Sequence, residues 1–133
     1  MRRVFLDTVG LLAIWDEADQ WHLIAEAAMV ELSRYPCEFF TSNGVLLECG
    51  NASAKKPYRR EVVELRNTLL QSGRILSPTD DELEMAWRAY EKRSNSSAGI
   101  VDQVSFVLMR RLRIQEAFTN DEHFRVAGFS TLF

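Results

Sequence analysis

Short apolar runs alternating with stretches of helical periodicity are the feature that most restricts what this chain can fold into. Val4-Phe5-Leu6 is apolar, partly β-branched and closed by Asp7, the pattern of a strand buried on both faces of a parallel sheet with a chemical group at its carboxyl end. From Trp21 the apolar positions Trp21, Ile24, Ala25, Ala28 and Leu32 recur at helical spacing until Pro36 stops them. Cys37 to Thr41 reads as a second buried strand. Ser42 can cap a helix carrying Val45, Leu46, Leu47 and Glu48. Pro57 can open another helix, with Val62, Leu65, Leu69 and Leu70 inward, which Gly73 ends before the strand Arg74-Ile75-Leu76.

The second half repeats the alternation. Thr79-Asp80-Asp81-Glu82 is a capping-box sequence, followed by Leu83, Ala86, Trp87 and Tyr90 on one face. Ser94 to Ser97 closes that helix as a polar loop. Ile100 to Leu112 is apolar on nearly every side, which predicts a helix packed in the middle of the molecule, yet Asp102 lies in its first turn. Ala117-Phe118-Thr119 reads as a fourth strand with Asp121 just beyond it, and Thr131 to Phe133 as a fifth after a turn at Gly128. Strands alternating with helices predict an α/β fold with helices on both faces of a mostly parallel sheet of four or five strands. Sites in such folds lie beyond the carboxyl ends of the strands, near the point where strand order reverses.

Composition narrows the function classes. A chain of 133 residues, 47% hydrophobic, can bury one core, and the expectation is a single domain over 1–133. The net charge of −3 excludes wrapping of nucleic acid by bulk positive charge, so any such contact is local. Cys37 and Cys49 lack a CxxC or Cys/His spacing, which signals neither a disulfide framework nor zinc and fits free thiols in the cytoplasm. Asp7 interrupts the apolar run after Arg2 and Arg3, against a secretory leader, and no run is long enough to span a membrane.

The acids carry the chemistry. An acid at a helix start often only complements the helix dipole, and that reading explains Asp102 or Asp121 alone. Asp7 after an apolar strand and Asp102 in an apolar helix are harder to dismiss, because unpaired charge there is costly. No lysine or arginine is adjacent to Asp7, Glu48 or Asp102. A bound cation is one solution and a distant arginine another; oxygen ligands favour Mg²⁺ or Mn²⁺. Such an ion acidifies a water and stabilises charge on a phosphoryl oxygen, which makes phosphodiester hydrolysis the natural reaction class.

The fragments LDT (Leu6–Thr8), LLECGN (Leu46–Asn51), VDQVSFVLMRRLRI (Val101–Ile114) and TNDEHFRVAGF (Thr119–Phe129) together resemble the PIN-domain family, particularly VapC-type toxins of toxin–antitoxin pairs. The resemblance implies a three-layer α/β/α sandwich, an acidic quartet of Asp7, Glu48, Asp102 and Asp121 binding Mg²⁺ or Mn²⁺ for RNA cleavage, a homodimer, and an antitoxin tail over the site. Thr119 matches a supporting hydroxyl of the family. Many relatives carry Ser, Asn or Gly where this chain has Val9, which keeps open a PIN-like binding module without turnover. Val9 also stands where a haloacid-dehalogenase-like phosphatase needs its second Asp, and a receiver domain's acceptor Asp and lysine are missing. Basic clusters at Lys55, Lys56, Arg59 and Arg60 and at Arg110, Arg111 and Arg113 can meet phosphates or simply be solvated. His22 and His123 are not expected to be catalytic, and the tryptophans are expected in the core or against a partner.

Overall fold

The structure, a computed structural model, describes residues 1–92 and 97–133. In chain order it contains β1 (Arg2–Leu6), α1 (Thr8–Trp15), α2 (His22–Leu32), β2 (Cys37–Ser42), α3 (Asn43–Ala52), α4 (Arg59–Gln71), β3 (Ile75–Leu76), α5 (Asp80–Lys92), α6 (Ile100–Leu112), β4 (Glu116–Phe118), α7 (Glu122–Val126) and β5 (Ser130–Thr131). The five strands form one sheet in the order β3-β2-β1-β4-β5, and every pairing is parallel. The predicted α/β architecture is therefore the observed one.

Strand order reverses at β1: the chain leaves it towards β2 and β3 and later returns to its other side as β4 and β5. Right-handed crossovers then send α1 to α4 over one face and α5 to α7 over the other. Accordingly α1 packs on α2 and α3, whereas α5 packs on α6 and α6 on α7. The apolar run of β1 is explained by its central place, with Val4, Phe5 and Leu6 buried from both sides. On the far face α6 contributes Phe106, whose ring stands edge-on to Phe124 at 4.9 Å.

Local signals behave as their chemistry requires. Ser42 Oγ accepts from the backbone N–H of Val45 at 3.1 Å, and Thr79 and Glu82 exchange both capping-box bonds, at 2.9 and 3.1 Å. Several expectations need correction. Thr8–Trp15 is a helix that its apolar sequence did not announce, and Glu122–Val126 is a short helix where none was predicted. The last strand is Ser130–Thr131 rather than Thr131 to Phe133. Trp21 and Ile24 are exposed, because α2 rests on α1 and buries only Ala25 and Leu32. Leu70, expected to face inward, is exposed; Leu47 is exposed too, and the shared face of α5 buries only Ala86 while Leu83, Trp87 and Tyr90 remain exposed. The polar loop expected at Ser94 to Ser97 lies, apart from Ser97, outside the described residues. Among the described residues no helix is long and apolar enough to cross a membrane.

Candidate active site

The reversal at β1 opens a crevice between the carboxyl ends of β1 and β4. Leu6 pairs with Phe118 across the two strands, so Asp7 and Thr119 follow side by side. Asp7 is 1% exposed and its Oδ2 accepts from Thr119 Oγ1 at 2.8 Å. Thr119 Oγ1 in turn accepts from the backbone N–H of Asp121 at 3.0 Å. A single buried hydroxyl thus links the acids that follow two different strands. From the other side Thr41 Oγ1 donates to the carbonyl of Leu6 at 2.7 Å, pinning the strand end that presents Asp7. Gly10 lets α1 approach: a Cβ there would lie 2.0 Å from the Phe118 carbonyl oxygen.

The remaining acids arrive on helices. Glu48 stands on α3, exposed, with Oε1 accepting from Thr8 Oγ1 at 2.7 Å. Asp102, half-buried at the start of α6, accepts through Oδ2 from the Gly99 backbone N–H at 3.3 Å. Asp121 caps α7, its Oδ1 accepting from the backbone N–H of His123 at 2.9 Å. Asp7, Glu48, Asp102 and Asp121 all line one open cleft of about 500 Å³, together with Thr8, Val9, Asn51 and Ala52. A larger hollow of about 600 Å³ beside α3 and α4 is lined by apolar residues such as Leu46, Val62 and Leu70 and has no carboxylate. Chemistry therefore singles out the smaller cleft.

Its electrostatics are unbalanced. Burial pushes Asp7 up from 3.8 to about 7; the Thr119 hydrogen bond opposes the rise, and the charges of Asp102 and Asp121 add to it. Asp102 is likewise pushed up to about 6, first by burial and then by Asp121, with Glu48 adding less. Among the described residues no lysine or arginine pairs with any of the four acids. The nearest cationic candidate is His123, whose Nδ1 lies 2.8 Å from Asp121 Oδ1 without hydrogen-bond alignment, while Nε2 meets Ser97 Oγ at 3.0 Å. Ligand atoms of Asp102, Asp121 and His123 lie within 4.8 Å of one another, close enough to share one ion. An all-carboxylate donor set without a cationic partner fits a hard divalent cation, and the imidazole could add one nitrogen.

The four acids named from sequence share the cleft, and Thr119 touches Asp7 directly. Val9 also lines it with an apolar side chain. Sequence reasoning singles out neither Thr8 nor Asn51, and His123, not expected to be catalytic, stands beside Asp121. The spacing Asp7-Thr8 carried no sign that α3 would bring Glu48 to that hydroxyl. The second basic cluster is largely committed elsewhere: Arg110 donates to the Ala127 carbonyl and lies over the Phe129 ring, and Arg111 pairs with Glu82 at 2.9 Å.

Comparison with known protein families matches residues 4–130 to the PIN domain. The chain belongs to the PIN-domain family. The matched stretch runs from β1 into β5 and includes all four acids. Among curated proteins this PIN domain is similar to the 23S rRNA-specific endonuclease VapC20 of Mycobacterium tuberculosis, 29% identical over 127 residues that cover 95% of each chain. The crystal structure of VapC20, described as a Sarcin-Ricin loop cleaving toxin, superposes with a TM-score of 0.80 at 28% identity, again over 95% of both chains. FitAcB from Neisseria gonorrhoeae shares the PIN fold, with a TM-score of 0.61 at 16% identity over 98% of this chain and 96% of that one.

Proposed function

We propose that this PIN domain is a metal-dependent endoribonuclease that hydrolyses RNA phosphodiester bonds, and that it is the toxin of a toxin–antitoxin pair. The observation that carries the reading is the gathering of Asp7, Glu48, Asp102 and Asp121 in one open cleft with no arginine or lysine among the described residues to balance them. VapC20, similar over nearly the whole length, is named for cleavage of 23S rRNA, which supports RNA as the substrate class.

In this reading the four carboxylates hold Mg²⁺ or Mn²⁺. When bound, the ion lowers the pKa of a water and stabilises negative charge on the phosphate. The chain's own contribution is to fix the donors. Thr119 anchors one oxygen of Asp7, Thr8 one of Glu48, the Gly99 amide one of Asp102 and the His123 amide one of Asp121. Among the described residues the second oxygens of Glu48, Asp102 and Asp121 take no hydrogen bond, and all three residues line the cleft. Asp7 sits at the buried floor and Glu48 at the exposed wall, so the described residues leave an extended phosphodiester an open approach. The apolar residues left exposed on α5, Leu83, Met85, Trp87 and Tyr90, suit a homodimer, and an antitoxin would restrain the activity in the cytoplasm. One domain spanning 1–133 carries this activity.

The test is incubation of purified, partner-free protein with RNA and Mg²⁺ or Mn²⁺, beside Asp7→Asn and Asp102→Asn. Cleavage by the wild type alone is expected. No cleavage by the wild type, or equal cleavage by the variants, contradicts the reading.

A further inference from the structure

Glu48 differs from the other acids in how it is held. Asp7, Asp102 and Asp121 follow strand ends or occupy a first helical turn, where backbone amides reach their carboxylates. Glu48 projects from the exposed side of α3 on a longer side chain, and among the described residues its donor is the hydroxyl of Thr8 at 2.7 Å. That distance is typical of a hydroxyl donating to a carboxylate.

We infer that Thr8 is a positioning residue for the proposed cation site: its hydroxyl fixes Glu48 so that the free oxygen of that carboxylate faces the ion held by Asp7, Asp102 and Asp121. The inference rests on the nuclease reading and deepens it. Thr8 is suited to the task because it is rigid with respect to the acids that follow the strands. It is bonded to Asp7 in the chain, its backbone N–H also serves the Asp7 carboxylate, and its branched side chain has few rotamers. Two residues on, Gly10 seats α1 against the Phe118 backbone, which holds the first turn of α1 against the end of β4. A single hydroxyl therefore ties the Glu48 carboxylate to the frame of the central strands. Val9, the next residue of α1, lines the cleft without a hydrogen-bonding side chain, so Thr8 supplies the hydroxyl on this turn of the helix.

The experiment is Mn²⁺ titration, by calorimetry and by the loss of free-ion resonance signal, on wild type, Thr8→Val, Thr8→Ser, Glu48→Gln and the double variant Thr8→Val/Glu48→Gln. Affinity should fall about tenfold in Thr8→Val, in the range found for residues that orient metal ligands, and return in Thr8→Ser. Thr8→Val should add nothing to Glu48→Gln, since the hydroxyl acts through that carboxylate. Unchanged Mn²⁺ affinity in Thr8→Val, or effects that simply add in the double variant, would overturn the assignment. Should Thr8→Val fold poorly, Thr8→Ala reads the same loss. A wild type that binds no Mn²⁺ removes the nuclease reading and this inference together, whereas binding by wild type that is indifferent to Thr8 removes only the inference.

Discussion

The two ends of the sheet treat their carboxylates in opposite ways. At the amino end Arg2 grips Glu116 across β1 and β4 with two hydrogen bonds of 2.8 Å, and Arg74 reaches Glu38 at 2.9 Å. Its hydrogen bonds to Arg2 hold Glu116 below the usual carboxylate range. At the carboxyl end four acids share a cleft, and burial with mutual repulsion lifts Asp7 and Asp102 instead. A fold that neutralises acids with arginine at one end has, among the described residues, no such partner at the other. The unbalanced end is where open parallel sheets generally hold their sites, and the balanced end is ordinary cross-strand structure.

The largest expected break in that contrast is functional. Asp7→Asn or Asp102→Asn should lower the rate of RNA cleavage by more than the roughly 100-fold seen when an outer residue is lost, measured as initial rate with Mg²⁺ or Mn²⁺. The same Asp7→Asn change should stabilise the metal-free protein. Asp7 holds its proton more tightly folded (about 7) than at its ordinary value of 3.8, so the stability tied to it is complete below about pH 4 and lost as pH rises through 7. Denaturant melts at pH 8 should show the variant more stable by roughly 2–4 kcal/mol, with the difference closing towards pH 4.

Structural breaks should be smaller. Gly10→Ala drives a methyl into the Phe118 backbone and should cost about 1–3 kcal/mol while also lowering activity, because α1 carries Thr8. Arg2→Met removes a pair that is partly solvent-exposed and should cost about 1 kcal/mol or less, leaving the cleavage rate unchanged. A large activity loss in Arg2→Met would mean that the two ends are not independent.

Much of this division was legible in the chain. The succession of strands and helices and the caps at Ser42 and Thr79 follow from local patterns, because burial on two faces and helix termini impose residue choices within a few positions. Asp7 and Asp102 stand out as charges in apolar sequence, whereas Glu48 and Asp121 rest mainly on the resemblance to the PIN family. What was not legible depends on long-range placement. The helix Thr8–Trp15 is apolar nearly throughout, so no periodicity marks it. The pairing of Arg2 with Glu116 spans 114 positions, and that of Thr8 with Glu48 spans 40. Leu70 reads as core, and Trp21 and Trp87 as core or partner surface, because helical spacing reports an apolar face without saying what covers it.

The central claim is that the carboxyl end is an acid cluster that a divalent cation neutralises. Its most direct test is a carboxyl-carbon NMR titration of Asp7 in the metal-free protein and again with saturating Mg²⁺. The account predicts a midpoint near 7 without metal and a fall to the ordinary carboxylate range or below with it. A midpoint near 4 in both samples, or one near 7 that Mg²⁺ does not move, would contradict it.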